Sequence, residues 1–331
     1  MISLIATVLN EGDNIRHLFD SIQRQTRRPD EIVIVDGGSE DDTLAIMRAY
    51  AADLPLRIFV EPGCNISQGR NRAIAEARGD IIAVTDAGVR LSEPWLEQIS
   101  APLLGEPTLN VVGGFFHADP QSAFETALGA TTLPLAREID GAIFLPSSRS
   151  IAFRKSAACA IGLYPEWLDF CEDLVFDLRL RAAGGPFAFA PDALVYFRPR
   201  RGLRPFFRQY YLYARGDGKA NLWFKRHLIR YLTYFALAPA IFIAGALWHP
   251  ALWLLYLLGA ADYLYLPYRR LPTVMRRAPD RSRRAWLFCI VMIPFIRLTG
   301  DVAKMIGYPV GWRWRLAMRP PDWRRGSAEQ R

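Results

Sequence analysis

The stretch Glu31-Ile-Val-Ile-Val-Asp-Gly-Gly-Ser39 is an apolar run rich in β-branched residues that ends in an aspartate and two glycines. Valine and isoleucine favour extended backbone, and a short apolar run bounded by turn residues is typical of a strand buried on both faces. The N-terminal stretch Ile2-Ser-Leu-Ile-Ala-Thr-Val-Leu-Asn-Glu11 has the same form. Both stretches predict buried strands whose carboxyl ends carry polar side chains. The N-terminus is accordingly expected to be a first strand rather than a signal peptide.

Similar runs alternate with amphipathic stretches as far as about residue 120. The predicted strands are Ile2–Leu9, Glu31–Val35, Arg57–Val60, Ile81–Thr85 and Leu109–Phe116. The predicted helices between them include Asp13–Gln25, Asp41–Tyr50 and Gln68–Arg78. This order predicts an α/β fold with a largely parallel, Rossmann-like sheet of the nucleotide-binding type. Ligands of such sheets bind beyond the carboxyl ends of the strands, so the chemistry is expected there.

A helix over Glu172–Ala183 and a strand over Phe187–Phe197 are predicted further along, separated by two glycines and a proline. Glu172 and Asp173 open this helix, where the helix dipole favours negative charge. A purely structural role would explain both carboxylates.

Charge is distributed unevenly along the chain. Residues 1–200 contain 18 Lys and Arg against 27 Asp and Glu, whereas residues 201–331 contain 23 against 6. The basic part is also rich in aromatic and aliphatic residues, which favours an anionic membrane surface over nucleic acid. A basic nucleic-acid-binding protein stays open as a weaker alternative.

The second part of the chain predicts membrane contact. Residues 231–261 contain no Asp, Glu, Lys or Arg, and Tyr231–Trp248 and Ala251–Leu266 are each slightly short of the roughly 20 residues that cross a bilayer. Arginines on both sides predict a hairpin with both ends in the cytoplasm. The apolar run Ala285–Ile296 is expected to lie in the interface. Asp262 either has a function inside the membrane or reaches the headgroups.

Four segments follow from these patterns: a catalytic domain over 1–200, an amphipathic interfacial linker over 201–230, a transmembrane hairpin over 231–268, and a basic cytoplasmic loop, interfacial helix and tail over 269–331.

The four cysteines show neither CxxC spacing nor a disulfide framework, so a reducing compartment fits. The chain also lacks the GxGxxG and GxxxxGK[ST] motifs, which argues against dinucleotide-dependent enzymes and P-loop hydrolases.

Several polar groups at the predicted strand ends suit nucleotide binding. Asp36 can accept hydrogen bonds from a base or ribose, and the glycines Gly37 and Gly38 let backbone amides approach a ligand. Arg70 and Arg72 could contact a diphosphate, for which arginine is well suited. Ordinary turn and capping chemistry, or a solvated basic turn, remain the structural alternatives at these positions.

Taken in order, these motifs resemble those of family-2 glycosyltransferases with the GT-A fold, in particular their membrane-associated bacterial members. The resemblance covers roughly residues 2–220. It depends on the order and spacing of six segments: Thr7–Glu11, Asp36–Ser39, Gly69–Arg72, Thr85–Gly88, Glu172–Asp173 and Gln209–Gly216.

The resemblance implies a role for each segment. Thr7, Asn10, Glu11, Asp36, Gly38, Arg70 and Asp86 would bind the nucleotide sugar. Asp173, in the Glu172-Asp173 pair, would be the general base that deprotonates the acceptor hydroxyl, giving a single displacement with inversion. Gln209, Tyr213 and Arg215 would line the acceptor and diphosphate side, although a plain interfacial helix explains them equally. The turn Pro146–Ser150 could border the acceptor pocket or be an ordinary polar turn.

The resemblance also implies a divalent cation, Mg²⁺ or Mn²⁺, with Asp86 as a ligand. The second Asp of the family's Asp-x-Asp motif is replaced here by Gly88, so Asp86 with water, or Arg70 and other cations, would have to compensate. His117 is a further possible ligand, but a structural role fits a lone histidine after a strand.

The implied activity is inverting transfer of a sugar from a nucleoside diphosphate, with a UDP-sugar as the expected donor. The expected acceptor is lipid-linked or membrane-proximal, in the synthesis of surface polysaccharide or glycolipid. The expected location is the bacterial inner membrane, with the catalytic domain on the cytoplasmic side and with membrane lipids, not nucleic acid, as partners. The main alternative is a catalytically inactive membrane scaffold that retains the fold.

Overall fold

The computed structural model describes residues 1–324, which form two compact units. The first unit contains Met1–His117 and Ala136–Phe197, and the second contains Ala118–Leu135 and Arg198–Pro320. The sequence placed residues 1–200 in one domain, but Ala118–Leu135 clusters with the second unit because its helix packs on apolar helices from the C-terminal part of the chain. The end of the predicted basic tail, residues 325–331, lies outside the described residues.

The first unit is built on an eight-stranded mixed sheet with the strand order β3-β2-β1-β4-β7-β6-β8-β5. Strands β1 to β4 are parallel, and β7 pairs antiparallel with β4. Their bounds are Ile2–Val8 (β1), Glu31–Asp36 (β2), Leu56–Val60 (β3), Ile81–Val84 (β4), Val89–Leu91 (β5), Val111–Ala118 (β6), Ile151–Arg154 (β7) and Phe187–Phe197 (β8).

Helices cover both faces of this sheet. They are Asn14–Gln23 (α1), Thr43–Tyr50 (α2), Ile66–Glu76 (α3), Trp95–Gly105 (α4), Lys155–Ala160 (α6) and Glu172–Ala182 (α7), while α5 (Ala123–Thr132) belongs to the second unit. Alternate residues of β1 point to opposite faces, so Leu4 and Ala6 join the core under α1, α2 and α4, and Ile5 joins the core under α3, α6 and α7. The predicted α/β class is therefore confirmed, and the six predicted strands and four predicted helices are present with ends shifted by at most two residues.

The second unit is helical. Its further elements are Leu203–Lys219 (α8), Phe224–Leu232 (α9), a π-helical turn over Thr233–Leu237, Ala238–Leu247 (α10), a short 3-10 helix over Pro250–Trp253, Leu254–Met275 (α11) and Arg283–Met318 (α12). A hydrophobic core joins α5, α8, α11 and α12.

Two segments are long and apolar enough to cross a membrane, Phe224–Leu247 and Arg283–Met318. The first contains most of the first predicted span. The apolar run Ala285–Ile296, expected to be a short interfacial piece, is instead the first part of a 36-residue helix. The polar residues that interrupt the run, such as Asp301, are hydrogen-bonded within the unit and do not end the helix. Ala251–Leu266, the predicted second arm, lies in the 3-10 helix and α11, and α11 is not among the candidate spans within residues 1–324.

Candidate active site

The loops after β1 and β2 are tied to each other at the carboxyl edge of the sheet. The backbone amide of Asn10 donates to Ser39 Oγ at 2.8 Å, and the amide of Glu40 donates to Asn10 Oδ1 at 2.9 Å. The amide of Glu11 donates to Thr43 Oγ1 at 2.9 Å, so the next helix also holds this loop. The predicted nucleotide residues Asn10 and Glu11 thus lie in a braced loop beside the end of β2.

Asp36 is fully buried at the end of β2. Its Oδ1 accepts hydrogen bonds from the amides of Gly38 and Ser39, at 2.9 and 2.8 Å. Its Oδ2 is buried and has no hydrogen-bond partner within the described chain. Buried carboxylate oxygens are normally paired, so an unpaired one at a strand end is a strong candidate for accepting a hydrogen bond from a ligand.

Two glycines make the backbone approaches at this edge possible. Gly38 has a φ of +96°, and a Cβ there would lie 3.0 Å from the Cα of Pro62. A Cβ on Gly69 would lie 2.7 Å from the Cγ2 atom of Thr7, so α3 packs directly against the end of β1. Thr7, near the end of β1, and Gly38, just after β2, thus lie at the carboxyl ends of neighbouring strands.

Arg70 links the two acidic motifs of the predicted site. It lies on α3 and is almost wholly buried, with Nη1 donating to Glu172 Oε1 at 2.6 Å and Nη2 donating to Asp86 Oδ1 at 3.0 Å. Its guanidinium also lies over the ring of Tyr164, 5.2 Å from the centroid. Two carboxylates raise the pKa of Arg70, so it remains charged despite its burial. The sequence predicted that Arg70 contacts a diphosphate, whereas its two Nη atoms are already bound to carboxylates.

The first two turns of α7 bring three carboxyl groups close together. Glu172 is buried; burial, and next the charge of Asp173, raise its pKa to about 7, although Arg70 opposes the shift. Asp173 is half-buried, and its Oδ1 accepts a hydrogen bond from the amide of Leu174 at 2.8 Å. Asp177, one turn later, is buried with Oδ2 unpaired among the described residues, and burial raises its pKa well above its ordinary range. Asp177 is not among the predicted site residues, although its spacing of four from Asp173 places it on the same helix face.

Arg149 is the main site residue to which the sequence analysis assigned no role of its own. It precedes β7, which pairs with β4, and its backbone carbonyl accepts a hydrogen bond from Thr85 Oγ1 at 3.1 Å. Its Nε lies 3.7 Å from Asp86 Oδ2, so Asp86 has a guanidinium on each side. The only signal in the sequence was a polar turn next to an apolar run.

The residues around Asp86 do not fit a divalent cation site. Within residues 1–324, no group of three or more His, Cys, Asp and Glu side chains is arranged to hold a metal ion. Asp86 is the one carboxylate present of the family's Asp-x-Asp motif, and arginine nitrogens lie 3.0 Å and 3.7 Å from its two oxygens. A Cβ on Gly88 would lie 3.7 Å from Glu11 Oε2, which is an ordinary van der Waals distance. Glycine nevertheless supplies no second carboxylate at this position. His117 packs edge-on against the ring of Phe115, as expected of a structural histidine.

The predicted acceptor-side residues Gln209, Tyr213 and Arg215 lie on α8 in the second unit. Gln209 Nε2 donates to the hydroxyl of Tyr213 at 2.8 Å, across one turn of the helix. The first unit thus contains the predicted nucleotide and base residues, and the second unit contains these three.

The sequence model of glycosyl transferase family 2 matches residues 3–158, which include β1 to β4 and the Asp86 and Arg149 segments. This match makes the chain a glycosyltransferase that resembles family 2 over residues 3–158, just under half of its length. Succinoglycan biosynthesis protein ExoA of Rhizobium meliloti is 29% identical over 261 residues, or 74% of this chain and 77% of that protein. The O-antigen chain rhamnosyltransferase WbaN of Salmonella anatum is 25% identical over 224 residues, or 63% of this chain and 70% of that protein.

A solved structure supports the same fold for this glycosyltransferase. The mannosyltransferase PcManGT of Pyrobaculum calidifontis, in complex with GDP-Man and Mn²⁺, aligns with a TM-score of 0.61 over 92% of this chain and 86% of that one. At 19% identity this likeness establishes the GT-A fold. The Mn²⁺ in that structure shows that the fold accommodates a divalent metal, whereas the donor set of this chain lacks the second carboxylate.

Proposed function

We propose that this glycosyltransferase moves a sugar, with inversion, from a nucleoside-diphosphate donor to a lipid-linked or membrane-proximal acceptor. The observation that carries the proposal is the buried Arg70 bridge, which ties Asp86 at the end of β4 to the Glu172-Asp173 pair. The bridge connects Asp86, in the motif on the donor side, to the motif that contains the proposed base. Donor and base must lie close together in one reaction centre.

In the proposed reaction each group has one task. The unpaired Oδ2 of Asp36 accepts a hydrogen bond from the donor's base or ribose. Asp173 takes the proton from the acceptor hydroxyl as the hydroxyl oxygen bonds to the anomeric carbon. The bond from that carbon to the diphosphate oxygen breaks on the opposite side, and the electron pair leaves with the nucleoside diphosphate. Arg70 contributes by fixing Glu172, which neighbours the base.

The acceptor and location are inferred from the second unit and from the relatives. Two segments long and apolar enough to cross a membrane would hold the enzyme next to a lipid-linked acceptor. The relatives' names refer to succinoglycan biosynthesis and O-antigen chain synthesis, which suit an acceptor in surface polysaccharide synthesis. The arginine-rich flanks favour the inner membrane of a bacterium with the first unit in the cytoplasm. A UDP-sugar is the expected donor, and Gln209, Tyr213 and Arg215 are the proposed acceptor-side residues.

The role of Asp173 can be tested by replacing it with asparagine. We expect Asp173→Asn to lower sugar transfer by roughly 100-fold or more, since general-base catalysis contributes about 10² to 10⁴. Donor affinity, measured by titration with the nucleoside diphosphate, should change little. Asp192→Asn is the matched control, because Asp192 is exposed on β8. Substantial transfer by Asp173→Asn would remove Asp173 from the mechanism.

The second candidate is a catalytically inactive scaffold, favoured by the Gly88 substitution. It predicts no transfer with any donor and no saturable binding of UDP, GDP or other nucleoside diphosphates. Retention of Asp86, Glu172 and Asp173 in one connected network weighs against it.

A further inference from the structure

Arg149 is a cation with unused hydrogen-bonding capacity at the carboxyl end of β4. Its Nε is buried and has no hydrogen-bond partner in the described chain, and its single ion pair there, with Asp86, is long at 3.7 Å. A guanidinium has five N–H donors and is costly to bury without acceptors. This geometry leaves donors of the Arg149 guanidinium available to an anionic ligand.

The side chain is nevertheless held in a defined place. The guanidinium lies over the ring of Phe197, 4.3 Å from the centroid, and 5.5 Å from that of Phe116. Thr85 anchors the backbone of Arg149 at its carbonyl. Aromatic contact and a fixed backbone limit the rotamers of a long side chain, so little entropy is lost when it binds a ligand.

The local charges favour an anionic ligand over a metal ion. Asp86 is bracketed by Arg70 and Arg149, and Arg70 is shared with Glu172. Two carboxylates thus neutralise the charge of Arg70. Arg149 has a long ion pair with Asp86, and Asp86 also pairs with Arg70. A divalent cation next to Asp86 would meet both guanidiniums, and the residue that would have added a second carboxylate is Gly88.

We propose that Arg149 binds the diphosphate of the donor and takes over the charge neutralisation for which the fold otherwise uses a divalent cation. The inference rests on the proposed function. When the bond from the anomeric carbon to the diphosphate oxygen breaks, the electron pair moves onto the diphosphate, and the guanidinium stabilises it by hydrogen bonding without transferring a proton. Donor binding and transfer are therefore independent of divalent metal.

The first test is titration of the detergent-solubilised full chain with UDP, GDP and the corresponding nucleosides, each in EDTA and in Mn²⁺. We expect one nucleoside diphosphate to bind with a dissociation constant that differs less than about threefold between the two conditions. Arg149→Ala should weaken the diphosphate roughly 10- to 100-fold, the range for losing a charged hydrogen-bonding partner. It should leave the affinity for the nucleoside unchanged.

Two companion variants distinguish the diphosphate contact from a folding defect. Arg149→Lys keeps the charge but loses the planar fork, so its diphosphate affinity should fall between those of wild type and Arg149→Ala. Arg48→Ala removes an exposed arginine on α2 and should match wild type. Loss of nucleoside and diphosphate binding together in Arg149→Ala would mean damage to the site as a whole and would contradict the proposal.

Gly88→Asp tests the same idea by restoring the missing carboxylate. A Cβ at this position has an ordinary van der Waals contact with Glu11, so the side chain can be accommodated. With Asp86 and Glu11 nearby, the new carboxylate should create measurable Mn²⁺ binding, seen by electron paramagnetic resonance, that wild type lacks.

The outcomes separate this inference from the proposed function. Absence of binding by every nucleoside diphosphate would overturn the proposed function and the inference with it. Binding that requires Mn²⁺ in wild type and is unaffected by Arg149→Ala would support the glycosyltransferase function and overturn the role of Arg149.

Discussion

Several of the predicted site residues in the first unit are connected through buried ionisable side chains. Arg70 keeps its charge between Asp86 and Glu172, whereas burial raises the pKa values of Glu172 and Asp177. Such groups make the stability of the fold depend on pH, because the folded and unfolded chains bind different numbers of protons.

Stability should therefore fall as the pH rises through neutrality. A carboxyl group whose folded-state pKa is raised favours the folded state fully below its unfolded value of about 4.5, and that contribution is lost as the pH rises through about 7 for Glu172. We expect the melting temperature of Glu172→Gln to fall less than that of wild type between pH 5 and pH 8. Thermal unfolding in detergent, followed by tryptophan fluorescence, measures this difference. Parallel pH profiles of the two proteins would contradict the raised pKa.

The difference between Asp36 and Arg149 shows which site residues a sequence can reveal. Asp36 could be predicted because the strand and the polar turn that ends it lie within nine consecutive residues. Arg149 reaches Asp86 through the antiparallel pairing of β7 with β4, in which Ile151 lies opposite Val84. Local patterns do not encode such a pairing across more than 60 residues, so the position of Arg149 could not be predicted.

Helices α8 and α12 of the second unit pack with their backbones in contact. Side chains added at Gly218, Gly307 or Gly311 would collide with backbone atoms of the opposite helix. At Gly307 the carbonyl oxygen of Tyr211 leaves no room for a Cβ, and the Cβ of Ala214 would lie 3.2 Å away. Small residues at crossings allow this close approach, which membrane helices commonly use.

A methyl group at this crossing should be destabilising. We expect Gly307→Ala to lower the unfolding free energy by roughly 1–3 kcal/mol, the usual cost of overpacking, because two backbones must move apart. Gly259→Ala on α11 is the control, since no described residue outside the adjoining backbone of its own helix lies within 4 Å of an added Cβ. Equal melting temperatures of the two variants in the same detergent would argue against the tight crossing.

A polar cluster explains why α12 continues beyond the predicted apolar run. Asp301 Oδ1 accepts a hydrogen bond from Arg230 Nε at 2.8 Å, and its Oδ2 accepts from the hydroxyls of Tyr263 and Tyr234 at 2.6 and 3.1 Å. The sequence shows Asp301 only as an interruption, because its partners come from other helices. Hydropathy therefore located the apolar run at the start of this helix, but it did not predict the length of the helix.

Removing this carboxylate should weaken the second unit. Asp301→Ala leaves the partly buried Arg230 without its acceptor, and such a loss costs about 3–5 kcal/mol when the pair is buried. Asp262→Ala should have little effect, because Asp262 is exposed on α11. Thermal unfolding in detergent compares the two, and similar melting temperatures would mean that the cluster adds little to stability.

At the scale of the whole molecule, the order of the motifs in the chain predicted more than any single motif did. The family, the α/β class and the positions of Asp36, Asp86 and Glu172 at strand and helix ends follow from that order. The division into units does not, since Ala118–Leu135 leaves the first unit in mid-chain to join helices more than 100 residues later. The sequence of this segment does not indicate in which unit its apolar residues pack.

The proposed reaction is transfer of a sugar from a nucleoside diphosphate to a membrane acceptor. The most direct test incubates the purified full chain with radiolabelled nucleotide sugars and a bacterial lipid extract, with Asp173→Asn in parallel. We expect that wild type transfers label from one donor to the lipid phase and that the variant does not. Label confined to water-soluble sugars would contradict the lipid-linked acceptor, and absence of transfer from every donor would contradict the proposed function itself.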